Sequence, residues 1–198
     1  MARRRLDPEE RRSELIDVGA RMFAAKPYDD VLMEDVAEQA GVSRALLYRY
    51  FPGKRDLFAA IYRQAADKLL ATAKFDPDRP VADQVTAALE AHIDYFVANR
   101  NTVLAANRTL AGDRVIQTII DEECATLRQR LLDVAGFDAR VRETVSAVLT
   151  SWLVFVRVLC VEWLVEEAFS RTELREICLG ALWGSLGPLA PAGGAPAP

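Results

Sequence analysis

Residues 33–54 read MEDVAEQAGVSRALLYRYFPGK, and this stretch decides the fold. Met33, Val36, Ala37 and Ala40 fall at i, i+3, i+4 and i+7, the single apolar stripe of a short amphipathic helix. Gly41 follows at once, where a left-handed cap is wanted and a side chain would be penalised. Ser43 is a good N-cap for a second helix over Arg44–Tyr50, which Pro52-Gly53 closes off. Two short helices joined by a tight glycine turn predict a helix-turn-helix, whose second helix enters the major groove of DNA.

The second helix has the side chains for that task. Leu47 and Phe51, at i and i+4, can turn inward together. Arg44, Ala45, Leu46, Tyr48, Arg49 and Tyr50 are left outside or at the edge, an odd set for a merely solvated face. Arg suits guanine edges or phosphate, Ala45 or Leu46 a thymine methyl, and the Tyr hydroxyls phosphate oxygens. Lys54 opens the next helix, where its charge and free backbone N–H groups favour a phosphate. The candidate DNA-binding set is therefore Ser43, Arg44, Ala45, Leu46, Tyr48, Arg49, Tyr50 and Lys54.

On the N-terminal side, Pro8 and Glu9-Glu10 open a helix over about residues 9–26, with Leu15, Ile16, Gly19, Met22 and Phe23 as its buried stripe. This helix closes a three-helix core. Before it, Arg3, Arg4 and Arg5 form a basic arm suited to the minor groove or backbone.

The run from Leu15 to Leu57 resembles the N-terminal DNA-binding domain of the TetR (tetracycline repressor) family. The matching residues are Leu15-Ile16, Phe23, Val36-Ala37, Ala40 to Ser43, Leu47-Tyr48, Tyr50-Phe51, Lys54 and Leu57-Phe58. Two positions depart from the family pattern. Pro27 stands before Tyr28 where Gly is usual, and Leu32 replaces the usual Thr or Ser cap, so that cap comes from Asp30 or is absent. The resemblance implies a DNA-binding transcriptional regulator, a repressor acting as a homodimer and released by a small-molecule effector.

Composition fits this outline. The 198 residues carry a net charge of −4 with pI near 5.2, against non-specific coating of nucleic acid. Residues 1–60 hold eleven Lys/Arg and eleven Asp/Glu, so the reading head is neutral and the remainder carries the acidity. Three cysteines (Cys124, Cys160, Cys178), none in a Cys-x-x-Cys pair, suggest buried thiols in a reducing compartment. With no apolar run after the basic N-terminus, no secretory signal is read and a cytoplasmic protein is expected.

Beyond the head, every strong pattern is helical: about 54–74, 81–99, 102–111, 114–134, 138–169 and 172–186. The fold class is all-α: an N-terminal three-helix helix-turn-helix domain joined by a connecting helix to a C-terminal helical ligand-binding and dimerisation domain. The expected divisions are 1–53, 54–187 and a disordered Pro/Gly/Ala-rich tail over 188–198.

Residues 144–165, TVSAVLTSWLVFVRVLCVEWLV, are long enough to span a bilayer. Arg157 and Glu162 would each cost about 2.5–3.5 kcal/mol there, so burial in protein is the better reading and no membrane partner is expected. A helix apolar nearly all round is buried on all sides, most readily against a second copy. With the last helix it gives an expected dimer interface of Leu153, Val156, Cys160, Leu164, Leu174, Ile177, Cys178, Ala181, Leu182 and Ser185. The resemblance implies the same pairing through the last two helices.

It also implies an effector cavity in the second domain. His92, Asn99, Asn107 and Arg157 are candidate polar groups, with Tyr95, Phe96, Trp152 and Phe155 as walls and a hydrophobic effector expected. Arg157 has the alternative of pairing with a carboxylate at the dimer seam. One histidine, no glycine-rich phosphate loop and no Cys/His cluster leave no enzyme, metal or cofactor reading to name. The competing reading is an all-α dimeric ligand-binding or interaction protein that has lost sequence-specific DNA binding.

Overall fold

A computed structural model describes residues 7–189, and the Arg3–Arg5 triplet and the chain after Leu189 lie outside the described residues. Every regular element among the described residues is helical. The chain divides into two compact units: residues up to Ala66 together with Asn99–Ile119, and Asp67–Ala98 together with the chain from Ile120.

In the N-terminal unit, α1 (Pro8–Ala25) starts from a complete capping box. Asp7 accepts from the Glu10 N–H at 2.8 Å and the Glu10 carboxylate accepts from the Asp7 N–H at 3.0 Å. The helix-turn-helix is α2 (Met33–Gln39) and α3 (Arg44–Tyr50). α4 (Lys54–Thr72) follows, and its residues up to Ala66 belong to this unit. Leu15, Phe23, Val36, Leu47, Leu57 and Phe58 are each at most 1% exposed. Burial on that scale contributes about 1.5–3 kcal/mol per side chain. Phe23, Tyr28 and Phe58 meet with ring centroids 5.1–5.6 Å apart.

The compact units divide inside α4, and α6 (Arg100–Leu104) joins the first unit. Two contacts hold it there. Asn101 Nδ2 donates to the Ala24 carbonyl at 3.0 Å, and Arg55 grips Asp113 through two bonds of 2.5 and 3.1 Å. The predicted single helix over 102–111 widens into a π stretch at Ala105–Thr109. Asn107 Nδ2 donates to the Val103 carbonyl, an acceptor that the backbone N–H of residue 107 would take in an α-helix.

The second unit holds α5 (Val81–Ala98), most of α7 (Arg114–Val134), α8 (Arg142–Glu166) and α9 (Arg171–Leu186). α8 is four residues shorter at its start than the sequence suggests. The Asp138 side chain accepts from the Arg140 N–H at 2.8 Å, an Asx turn that competes with helix. Glu167, at φ 47°, closes its other end in the left-handed region. Ser170 is the α9 cap, paired with Glu173 in a second capping box.

The expected dimer interface needs correction. Val156, Cys160, Leu164, Leu174, Cys178 and Leu182 are buried within the single chain. Trp152 Nε1 donates to the Cys178 carbonyl at 2.8 Å, tying α8 to α9 from the same buried side. Leu153 and Ala181 are half-buried, while Ile177 and Ser185 are exposed. The outward apolar side of α8 is formed instead by Val154, Phe155 and Val158, all exposed. A helix with apolar residues on both sides offers periodicity no basis for choosing between them.

Candidate nucleic-acid interface and effector cavity

The turn between α2 and α3 is closed by two bonds of 2.9 Å, Val42 N–H to the Ala37 carbonyl and Gly41 N–H to the Glu38 carbonyl. Together they make a Schellman cap, and Gly41 takes the left-handed φ of 61° that it requires. Ser43 then caps α3, its hydroxyl accepting from the Leu46 N–H at 3.2 Å. Leu47 and Phe51 are buried, which turns Arg44, Ala45, Tyr48 and Arg49 outward. Leu46 and Tyr50 are half-buried at the edge, with the Arg49 guanidinium 5.7 Å from the Tyr50 ring. Arg44 also pairs with Glu34 at the start of α2. That exposed pair is worth little, so the guanidinium exchanges it readily for another anion.

Lys54 departs from expectation. Its ammonium donates to the carbonyls of Tyr28 at 2.9 Å and Asp29 at 3.2 Å and stands 4.6 Å from the Tyr28 ring centroid. The side chain closes the Tyr28–Asp30 turn onto the start of α4 rather than pointing to a phosphate. Leu32 begins α2 with no side-chain cap, leaving Glu34 and Asp35 to favour the helix dipole.

In the C-terminal unit, a cavity of about 280 Å³ lies among the end of α4, α5, α7 and α8. His92, Trp152 and Arg157 line it. The other candidate lining residues lie elsewhere. Phe96 is buried behind His92, centroids 4.1 Å apart, and Tyr95 packs on Phe96. Phe155 is exposed on α8, and Asn99 and Asn107 belong to the N-terminal unit.

Arg157 does not wait for a dimer seam. It donates to Glu123 of its own chain at 3.0 Å, both side chains buried. Burial pushes the Glu123 carboxyl above the usual carboxylate range against the pull of Arg157. Burial and the neighbouring Arg157 charge lower His92 to about 3, so its ring is neutral at physiological pH. Glu123 was missed in the sequence because it stands among the exposed carboxylates Asp121 and Glu122 on a polar-looking turn. Gln84 was missed as well. It donates to the Asp76 and Arg79 carbonyls and accepts from the Asp76 N–H, fixing the loop that borders the cavity.

The Gly41 turn and the Ser43-capped α3 with outward Arg and Tyr define a helix-turn-helix. Residues 15–61 match the family model described as bacterial regulatory proteins, tetR family. Over these residues the chain resembles the DNA-binding domain of that family. It is 31% identical over 95 residues to the HTH-type transcriptional activator FasR of Mycolicibacterium smegmatis, covering 46% of this chain and 43% of that protein. It is 28% identical over 131 residues to the HTH-type transcriptional repressor KstR2 of the same organism, covering 66% of this chain and 56% of that one. The chain thus spans about half the length of these relatives. A TetR-family regulator structure from Streptomyces coelicolor superposes with TM-score 0.80 at 25% identity, over 93% of this chain and 84% of that one.

Proposed function

We propose that the chain is a cytoplasmic transcriptional regulator rather than an enzyme, a repressor that binds a pseudo-palindromic operator as a homodimer and is released by a small hydrophobic effector. The observation that carries this is α3, where Ser43 caps the helix, Leu47 anchors it and Arg44, Tyr48 and Arg49 face outward. One such helix touches few base pairs, so specificity requires a second copy about 34–36 Å away, one turn of DNA.

The dimer face we assign is the exposed side of α8 and α9. Val154, Phe155, Val158 and Ile177 are between 38% and 55% exposed there. Gly180 and Gly184, with open space where a Cβ would stand, continue the face on α9 and allow close helix approach. Effector binding in the cavity would act through α4 and α7, since both helices pass through the division between the units.

The test is fluorescence anisotropy on DNA from the protein's own promoter region over a salt series. Tight, salt-sensitive binding that Arg44→Ala and Tyr48→Ala abolish supports the reading. No binding at low salt favours a ligand-binding protein without DNA recognition. FasR and KstR2 carry opposite regulatory signs in their names. A promoter–reporter assay with and without the protein therefore tests repression directly.

A further inference from the structure

A second cavity of about 500 Å³ opens in the C-terminal unit, among the start of α5, the end of α7, the α7–α8 loop and the end of α9. Leu149, Leu182, Trp183 and Leu186 give it apolar walls, with Asp138 and Arg140 exposed where they border it. Val85 and Leu131 line both this cavity and the first one. The two spaces therefore adjoin at these two side chains.

We propose that the two cavities are compartments of one site. Its ligand is an uncharged, elongated apolar molecule whose one hydrogen-bonding group meets His92 and whose body passes between Val85 and Leu131 into the second compartment. This rests on reading the C-terminal unit as effector-binding.

The charge at the first compartment is already balanced. Arg157 and Glu123 neutralise each other, and the His92 ring carries no charge at physiological pH. A charged ligand group driven in beside them would lack a counter-ion in a dry site. His92 Nε2, in contrast, is shielded from water and has no hydrogen-bond partner. An orphaned buried polar atom is costly, and a hydroxyl relieves it whichever ring nitrogen holds the proton. Lys74 and Arg79 border the first compartment but are exposed, so an anion held there stays in water. The apolar walls of the second compartment reward methylenes, and its Asp138 and Arg140 are exposed to water at the border. Together the two volumes fall within the range of small-molecule sites.

The experiment titrates the full chain with 1-alkanols from hexanol to tetradecanol and with the matched n-alkanoates, by calorimetry, with operator release read in parallel. Alkanol affinity is expected to rise about fourfold per methylene past octanol. The matched carboxylates are expected to bind at least about tenfold more weakly. His92→Phe is expected to weaken dodecanol binding about tenfold. A plateau at hexanol to octanol overturns the joined compartments; equal or tighter alkanoate binding overturns the uncharged head. Unchanged dodecanol affinity in His92→Phe overturns the contact with His92. The chain-length series needs only the unsubstituted protein, so it decides even where the variant fails to fold. Dodecanol that binds without releasing DNA leaves this assignment standing and counts against the effector reading. A carboxylate that alone binds and releases DNA does the reverse.

Discussion

Arg157 on α8 and Glu123 on α7 form a 3.0 Å ion pair with side chains only 10% and 4% exposed. The Arg157 guanidinium also lies 6.0 Å from the Phe96 ring centroid, so one side chain links α5, α7 and α8. Glu123→Gln leaves the guanidinium without its counter-charge and is expected to destabilise the C-terminal unit by about 3–5 kcal/mol. All three tryptophans (Trp152, Trp163, Trp183) lie in this unit. Urea unfolding followed by tryptophan fluorescence reads the loss, and a change below about 1 kcal/mol would show the pair to be incidental.

His92 gives the same unit a pH dependence. Its folded-state value is lowered to about 3 from 6.5. Between those values the unfolded chain binds a proton that the native one does not, so this group's contribution falls as pH drops below 6.5. The slope is at most about 1.4 kcal/mol per pH unit. Glu123, shifted upward, acts in the opposite direction. Comparing the wild type with His92→Phe between pH 7.5 and 5 isolates the histidine, and parallel profiles for the two proteins would refute its role.

Gly19 on α1 packs directly against Leu57 and Ile61 of α4. A Cβ there would stand 2.9 Å from Ile61 Cδ1 and 3.2 Å from Leu57 Cδ2. Gly19→Val is expected to cost about 1–3 kcal/mol through overpacking. In Gly19→Ala, about 1 kcal/mol of helix propensity offsets the smaller clash. Thermal melts by circular dichroism should separate the two variants, and a neutral Gly19→Val would mean the helices part easily.

The reading head makes a prediction about salt. If Arg49 meets a phosphate in each half-site as proposed, Arg49→Ala should lower the log K against log salt slope by about 0.9 per contact. Arg44→Ala should weaken discrimination between operator and random DNA more than it changes the slope. Lys54→Ala is expected to leave the slope unaltered while lowering the melting temperature, because its ammonium serves the Tyr28 and Asp29 carbonyls. A slope change in Lys54→Ala would return that residue to the phosphate contacts.

For the pairing face, Val158→Glu introduces a charge at the centre of the exposed α8 side without disturbing the buried one. Sedimentation should show a monomer with unchanged helicity and lost operator binding. A dimer that survives the substitution would place the interface elsewhere.

The helix-turn-helix was readable from sequence because its determinants are local. A cap residue, a left-handed glycine and a three-four spacing all act within one or two turns. The inward turn of Leu47 and Phe51 follows from the same spacing. Lys54 shows where this stops. Nothing near it in sequence reveals that the Tyr28 and Asp29 carbonyls, some 25 residues earlier, would claim its ammonium. Asn107 and Phe155, read as groups of the effector cavity, fail for a related reason. Asn107 serves its own helix, and Phe155 lies on the side of α8 that periodicity could not exclude.

By itself, then, the sequence determined the all-α class and the helix-turn-helix with its Gly41 turn and Ser43 cap, since each depends on neighbours within a few residues. Tertiary structure alone decided which side of α8 is core, that Glu123 would answer Arg157, and that Val85 and Leu131 would stand between two cavities. Those outcomes depend on how helices distant in sequence meet. A residue's own neighbours do not record which opposing surface will desolvate it.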